Sequence, residues 1–295
     1  MESHYRNIEA IIPPPSFHMV GDGFRVHNFF PSNPEIGMTG MSPFFLLDYG
    51  SKWNVPPSDK PKGVGVHPHR GIETVTIAYH GKVAHQDSAG NSGVIGEGDV
   101  QWMTAGAGVL HKEYHEKEFS RKGGLLQMVQ IWVNLPAKFR MTPAKYQAIQ
   151  NKDMVRYLLD DKNSFIELIA GEYKGLKGPA NTFSPVNLFN AKLTKGSKAG
   201  FSFDKKNNTG LLVIEGEIKV NNSGTVPENY FVLFGHNGGE DIELEAEKKS
   251  VILVMSGEPI NEPVASAGPF VMNTEFEIKQ AYDDYYNGKF GYLED

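Results

Sequence analysis

The sequence predicts an all-β protein built as two barrels in tandem. Three observations carry that expectation. Short runs rich in Val, Ile, Thr and aromatic residues alternate polar and apolar positions, with turns roughly every 8–12 residues. The chain holds 32 Gly and 18 Pro, enough turn chemistry to punctuate that many strands. The same rhythm then begins again past the middle of the chain, which suggests a duplicated unit.

The 295 residues suit one large or two medium domains, and a 40% hydrophobic content suffices for substantial cores. There is no cysteine. Disulfides, thiolate metal sites, iron–sulfur clusters and cysteine nucleophiles are therefore excluded, and any metal must be held by His, Asp or Glu. The net charge is −6, and Lys and Arg form no block longer than a pair. Direct binding to nucleic acid is therefore not expected. No apolar run is long enough to span a membrane, and residues 1–9 lack the apolar core of a secretory leader. A cytoplasmic monomer is the expectation.

Asp22-Gly23 marks a hairpin between Phe17–Val20 and Phe24–Phe29. Residues 42–50 read as a buried strand ending at Gly50, and residues 51–63 as a surface loop. From 64 to 135 the pattern is β throughout, with Gly81, Ser88–Gly93 and Glu97-Gly98-Asp99 as turns. Residues 134–163 change character. Pro136, Pro143 and the helix-tolerant run Ala144–Ile149 predict a connector with a short helical turn. The boundary is placed near 140, giving domains 1–140 and 141–295. In the second half Glu215-Gly216-Glu217 plays the part of His80-Gly81-Lys82. The tail is the one expected helix: Thr274 and Glu277 form a capping box, and Asn287-Gly288 stops it.

The chemistry concentrates in two short stretches. His67 and His69 stand two apart in Gly65-Val66-His67-Pro68-His69-Arg70-Gly71, and strand alternation aims both at one face. His111 and Glu113 repeat that spacing in Leu110-His111-Lys112-Glu113. If both strands face a barrel interior, three imidazoles and one carboxylate converge. That donor set without sulfur favours Fe(II), Mn(II) or Ni(II) over Cu(I). His115 lies further along the same face and is a rival ligand. His80 and His85 flank Gly81, and His85 is read as ordering a turn rather than lining the site. Arg70 is expected in a salt bridge, and Gln130 and Trp132 share a face that can form a pocket wall. In the second half the histidine is His236, read as a turn residue, and no metal is expected there.

These stretches resemble the pirin family of the cupin superfamily. Gly65–Gly81 resembles the first cupin motif, and within it His67-Pro68-His69-Arg70-Gly71-x-Glu73-Thr74-Val75 resembles the pirin family. Gly98–His111 resembles the second, and Gln101-Trp102-Met103-Thr104-Ala105-Gly106-x-Gly108-x-x-His111-x-Glu113 is again similar to pirins. Gln130–Pro136, Gly257–Pro263 and Gly268–Thr274 fit as well, so the likeness runs from about residue 6 to 291. The resemblance implies a bicupin: two tandem jelly-roll-like β-barrels with a short C-terminal helix. It implies one mononuclear iron, Fe(2+), held by His67, His69, His111 and Glu113; Mn, Ni, Cu, Co or Zn could replace it. Glu73, which the general cupin pattern would nominate, is then not a ligand.

The resemblance further implies quercetin 2,3-dioxygenase-type activity, in which a flavonol-like molecule and O₂ react, the ring opens and carbon monoxide leaves. Glu113 would act as the catalytic base for the flavonol proton. The alternative is a non-enzymatic, redox-responsive regulator that binds a protein partner. A third reading is a cupin isomerase needing no O₂. Consumption of O₂ with loss of flavonol absorbance separates these readings.

Overall fold

The computed structural model describes residues 4–161 and 163–295. The alternating runs become antiparallel strands, and these assemble into two compact units whose segments interleave along the chain. One unit comprises Ser16–Pro31, Phe44–Asn151 and Ile260–Asp295. The other comprises the N-terminal segment to Pro15, Ser32–Pro43 and the stretch Lys152–Pro259.

In the first of these units a seven-stranded sheet runs in the order Lys145–Ile149, Val100–Thr104, Ile72–His80, Gly124–Asn134, Phe44–Val55, Phe24–Phe30, His18–Val20. A four-stranded sheet runs Gly63–His69, Val109–His115, Val83–Asp87, Ser92–Ile95. The second unit repeats this plan. Its large sheet runs Arg6–Ile12, Phe231–Gly238, Asn208–Glu215, Ser250–Gly257, Val186–Leu193, Phe165–Ala170, Val155–Leu158. Its small sheet runs Lys198–Ser202, Asp241–Ala246, Glu217–Val220, Thr225–Pro227. In both, the third strand of the large sheet passes into the small sheet at a glycine, Gly81 or Gly216. Each has φ +85, a conformation that side chains other than glycine's resist.

The expected hairpin at Asp22-Gly23 forms, with His18 opposite Val26. Several expectations need correction. The strand expected to stop at Gly50 continues to Val55, because Leu125 and Gly124 pair with Asn54 and Val55. Residues 51–55 are therefore not loop. Ala144–Ile149 is not helical: Lys145–Ile149 pairs along Val100–Thr104 and closes the edge of the sheet. Helix propensity is a weak prior, and an open strand edge overrode it. A six-residue helix, Lys117–Lys122, was not foreseen.

The division near residue 140 also differs from the contacts. The edge strand Arg6–Ile12 pairs with Phe231–Gly238, so the first strand of the chain serves the sheet formed by its second half. The predicted helix is present as Glu275–Tyr286, and the Thr274–Glu277 capping box is closed in both directions. It does not end the second barrel. Ile278, Ala281 and Phe290 pack with Leu110 and Phe270 in the unit that carries the paired histidines. Phe290 is buried and Tyr292 exposed. Among the described residues, no helix is long and apolar enough to cross a membrane.

Candidate metal centre

Strand pairing brings the three histidines together. In the small sheet His111 lies directly opposite His67, and Val109 opposite His69. One ligand nitrogen from each of His67, His69 and His111 lies within 4.8 Å of the others. His69 and His111 are 2% and 1% exposed, whereas His67 is half-buried. The cluster is thus closed on the side of His69 and His111 and opens toward solvent past His67.

Backbone carbonyls set two of the rings. His67 Nδ1 donates to Gly65 O at 2.8 Å, and His69 Nδ1 to Pro269 O at 3.3 Å. Each ring then presents an unprotonated Nε2. His69 Nε2 and His111 Nε2 stand 3.1 Å apart. A proton on His111 Nε2 would leave its buried Nδ1 without a hydrogen-bond donor. A proton on Nδ1 would set two lone pairs face to face, an arrangement that a cation between them relieves. Two donors at about 2.1 Å from an octahedral ion lie about 3 Å apart, so the spacing fits a metal. Burial, reinforced by His67, lowers the His69 imidazole to about 3. Burial and the neighbouring rings hold His111 well below its usual range. Both rings are therefore neutral at physiological pH, which is the form that binds metals.

Glu113 stands beside this cluster without joining it. It is 3% exposed. Its Oε1 accepts from Thr76 Oγ1 at 3.3 Å and its Oε2 from Gln130 Nε2 at 2.9 Å. Burial raises its carboxyl above the usual range, opposed by the charge of His67 and by those two hydrogen bonds.

Comparison with known proteins gives this arrangement a family. The model of the pirin domain matches residues 23–133, and that of the pirin C-terminal cupin domain matches 188–291. The chain belongs to the pirin family. The chain holds the two cupin domains of that family. A Pseudomonas aeruginosa pirin relative named "Putative quercetin 2,3-dioxygenase" is 44% identical over 273 residues, covering 92% of this chain and 94% of its own. A crystal structure of quercetin 2,3-dioxygenase from Acinetobacter baumannii shares 47% identity and a TM-score of 0.91, over 98% of this chain and 99% of that one. A bacterial pirin from Escherichia coli, solved in complex with nickel(II), shares the fold at 19% identity and a TM-score of 0.63, over 85% of this chain and all of its own (100%).

The remaining candidates fall away from the histidine cluster. Glu73 and Thr76 differ in parity on Ile72–His80, so they face opposite sides of the sheet. Glu73 is fully buried and accepts from Thr104 Oγ1 at 2.7 Å, and burial pushes its carboxyl up to about 7. His115 donates from Nε2 to Gly23 O at 2.8 Å and packs edge-on against Phe24 and Phe119. It is not in the cluster. His85 is not merely a turn residue. It lies opposite Glu113, with Nε2 2.6 Å from the Tyr146 hydroxyl. His80 sits with Glu97 at the surface. Arg70 makes the expected salt bridge, 2.9 Å from Asp284, and its guanidinium stacks over Phe290. Trp132 meets His69 edge to face at 5.1 Å and is part of the site wall.

In the second cupin domain, the strands that correspond to the histidine-bearing pair are Lys198–Ser202 and Asp241–Ala246. They turn Ala199, Phe201, Ile242 and Leu244 into an apolar core, and apolar side chains offer a metal no donor. His236 lies in the strand Phe231–Gly238 rather than in a turn, exposed, between Lys205 O and Asn208 Oδ1.

Proposed function

We propose that this pirin-family protein is a dioxygenase of the quercetin 2,3-dioxygenase type, with one divalent iron held by His67, His69 and His111 and with Glu113, whose carboxylate lies just outside that imidazole cluster, as the fourth ligand. The observation that carries the reading is the convergence of three imidazoles, those of His69 and His111 buried, beside a buried carboxylate whose two oxygens are both held by hydrogen bonds. The names of its relatives in Pseudomonas and Acinetobacter support the same activity. When bound, the ion supplies Lewis acidity and a route for electrons from the flavonol to O₂.

The protein's own residues supply the rest. Glu113 takes the proton of the flavonol hydroxyl; its burial makes it a stronger base than a solvated carboxylate. Thr76 and Gln130 hold that carboxylate in one orientation, so little is spent on ordering it during the reaction. Trp132, set edge-on against His69, gives a planar ring an apolar wall. The half-buried side at His67 admits the substrate.

The test is direct. Protein purified without chelator is assayed for its metal, then loaded with Fe(II) under anaerobic conditions and given quercetin. Admission of O₂ is expected to bleach the flavonol absorbance with matching O₂ uptake and release of carbon monoxide. A fully loaded protein that leaves quercetin intact would sink the enzymatic reading and favour a regulatory one.

A further inference from the structure

A polar row runs across the large sheet beside Glu113. Thr76 pairs with Gln130, Gln130 with Asp48, and Asp48 with Asn28, on four adjacent strands. Residues directly opposite in antiparallel strands share a face. Thr76 and Gln130 both donate to Glu113, which belongs to the opposing sheet. That face is therefore the barrel interior, and Asp48 and Asn28 point into the same space. Each step along the row crosses one strand spacing, about 4.8 Å.

The layers on either side are largely apolar. On one side Trp132 pairs with Leu46 and Thr74. On the other, Met128 and Ala78 pack with Phe24, Val26 and Val55. Within this setting Asp48 is 9% exposed. Its Oδ1 accepts from Asn28 Nδ2 at 2.8 Å. No other described residue hydrogen-bonds the carboxylate. Exposure alternates along the row: Thr76 and Asp48 are buried, Gln130 and Asn28 half-buried. The row thus leads from the candidate metal centre across the barrel interior, with partly exposed members on either side of Asp48. The other oxygen is not among the fully buried atoms that lack a partner, so it stays reachable, with the charge of His18 acting on the carboxylate. A carboxylate facing the barrel interior with one oxygen clamped and the other open can accept a hydrogen bond from a hydroxyl or amide.

We propose that Asp48, oriented by Asn28, is a specificity-determining residue that accepts a hydrogen bond from a second hydroxyl of a polyhydroxylated aromatic substrate. This hydroxyl lies on a ring remote from the one that reaches Glu113. The assignment rests on the flavonol reading above. It explains why a carboxylate is kept in an apolar barrel that needs no further ligand. It also states what the site selects: planar aromatics with hydroxyls at both ends over those with the reacting hydroxyl alone.

The experiment compares two flavonols on the metal-loaded, anaerobic protein, so that binding is read without turnover. Quercetin carries hydroxyls on every ring system; 3-hydroxyflavone keeps only the reacting one. Dissociation constants are measured by fluorescence titration, with metal content and melting temperature checked in each variant. Wild type is expected to prefer quercetin about tenfold or more, the scale of one hydrogen bond to a charged group. Asp48→Ala is expected to erase most of that ratio. Asp48→Asn, which keeps the shape and the contact to Asn28, moves the ratio the same way and serves if the alanine variant is unstable. A ratio unchanged in a folded, metal-replete variant overturns the Asp48 assignment alone. Failure of both flavonols to bind wild type overturns the flavonol reading, and this assignment with it.

Discussion

At the scale of single residues, the site is governed by what burial does to charge. Glu113 is forced toward a higher pKa by desolvation and drawn back by Thr76, Gln130 and His67. Glu113→Gln keeps shape but offers one acceptor oxygen in place of two, and it cannot take a proton. We expect it to fold normally and to lose about 10²–10⁴ in turnover, the range of general-base catalysis, in the O₂-uptake assay. Unaltered turnover would remove the base role. His85 gives a second prediction. Burial lowers its imidazole to about 4, with Asp87 pulling the other way. An unfolded chain would protonate it near 6.5. Between those values the unfolded state binds more protons than the folded one, so stability falls as pH drops from about 6.5 to about 4. Urea denaturation of metal-free protein should show this decline, and His85→Gln should flatten part of it.

At the scale of elements, strands made the site and a helix supports it. Period-two alternation made His67, His69, His111 and Glu113 legible as facing pairs. The same rule could not say which strands lie opposite. Gln130 reaches Glu113 only because Gly124–Asn134 pairs with Ile72–His80 in one register. Asp48 joins the row by a second, independent register. Lys145–Ile149 was misread for a related reason: its composition tolerates helix, and its pairing partner lies some forty residues earlier. The helix Glu275–Tyr286 was legible because its cap is local. Its packing was not: Phe290 lies so close to Gly108 that any side chain there would meet the ring. Thr274→Ala should lower unfolding stability by about 1 kcal/mol, the usual worth of such a cap, as read by urea titration.

At the scale of the whole molecule, one plan is used twice with different interiors. Both units place a seven-stranded sheet against a four-stranded one in the same order, and both turn at a glycine of φ +85. One lines its interior with imidazoles and carboxylates; the other fills it with Phe201, Ile242 and Leu244. Metal bound only by the folded state must stabilise it by mass action. Adding a divalent metal at 100 times its dissociation constant should therefore raise stability by about 2.7 kcal/mol and raise the melting temperature. Chelation should reverse the shift. His111→Ala should abolish it, and a shift that survives that change would place the metal elsewhere.

The sequence by itself determined the all-β class, the duplication, the capped helix and the pairing of histidines on strand faces. Each of these follows from residues within a few positions of one another, where backbone geometry alone dictates direction. Only the tertiary structure decided that residues 6–12 complete the sheet of the second half and that the C-terminal helix packs beside the histidine strands. It likewise placed Glu73 on the far face and brought Thr76, Gln130 and Asp48 into one row with Glu113. Those facts depend on strand register between segments tens to hundreds of residues apart. Register is set by burial of the whole sheet face, a property that no local stretch of sequence contains.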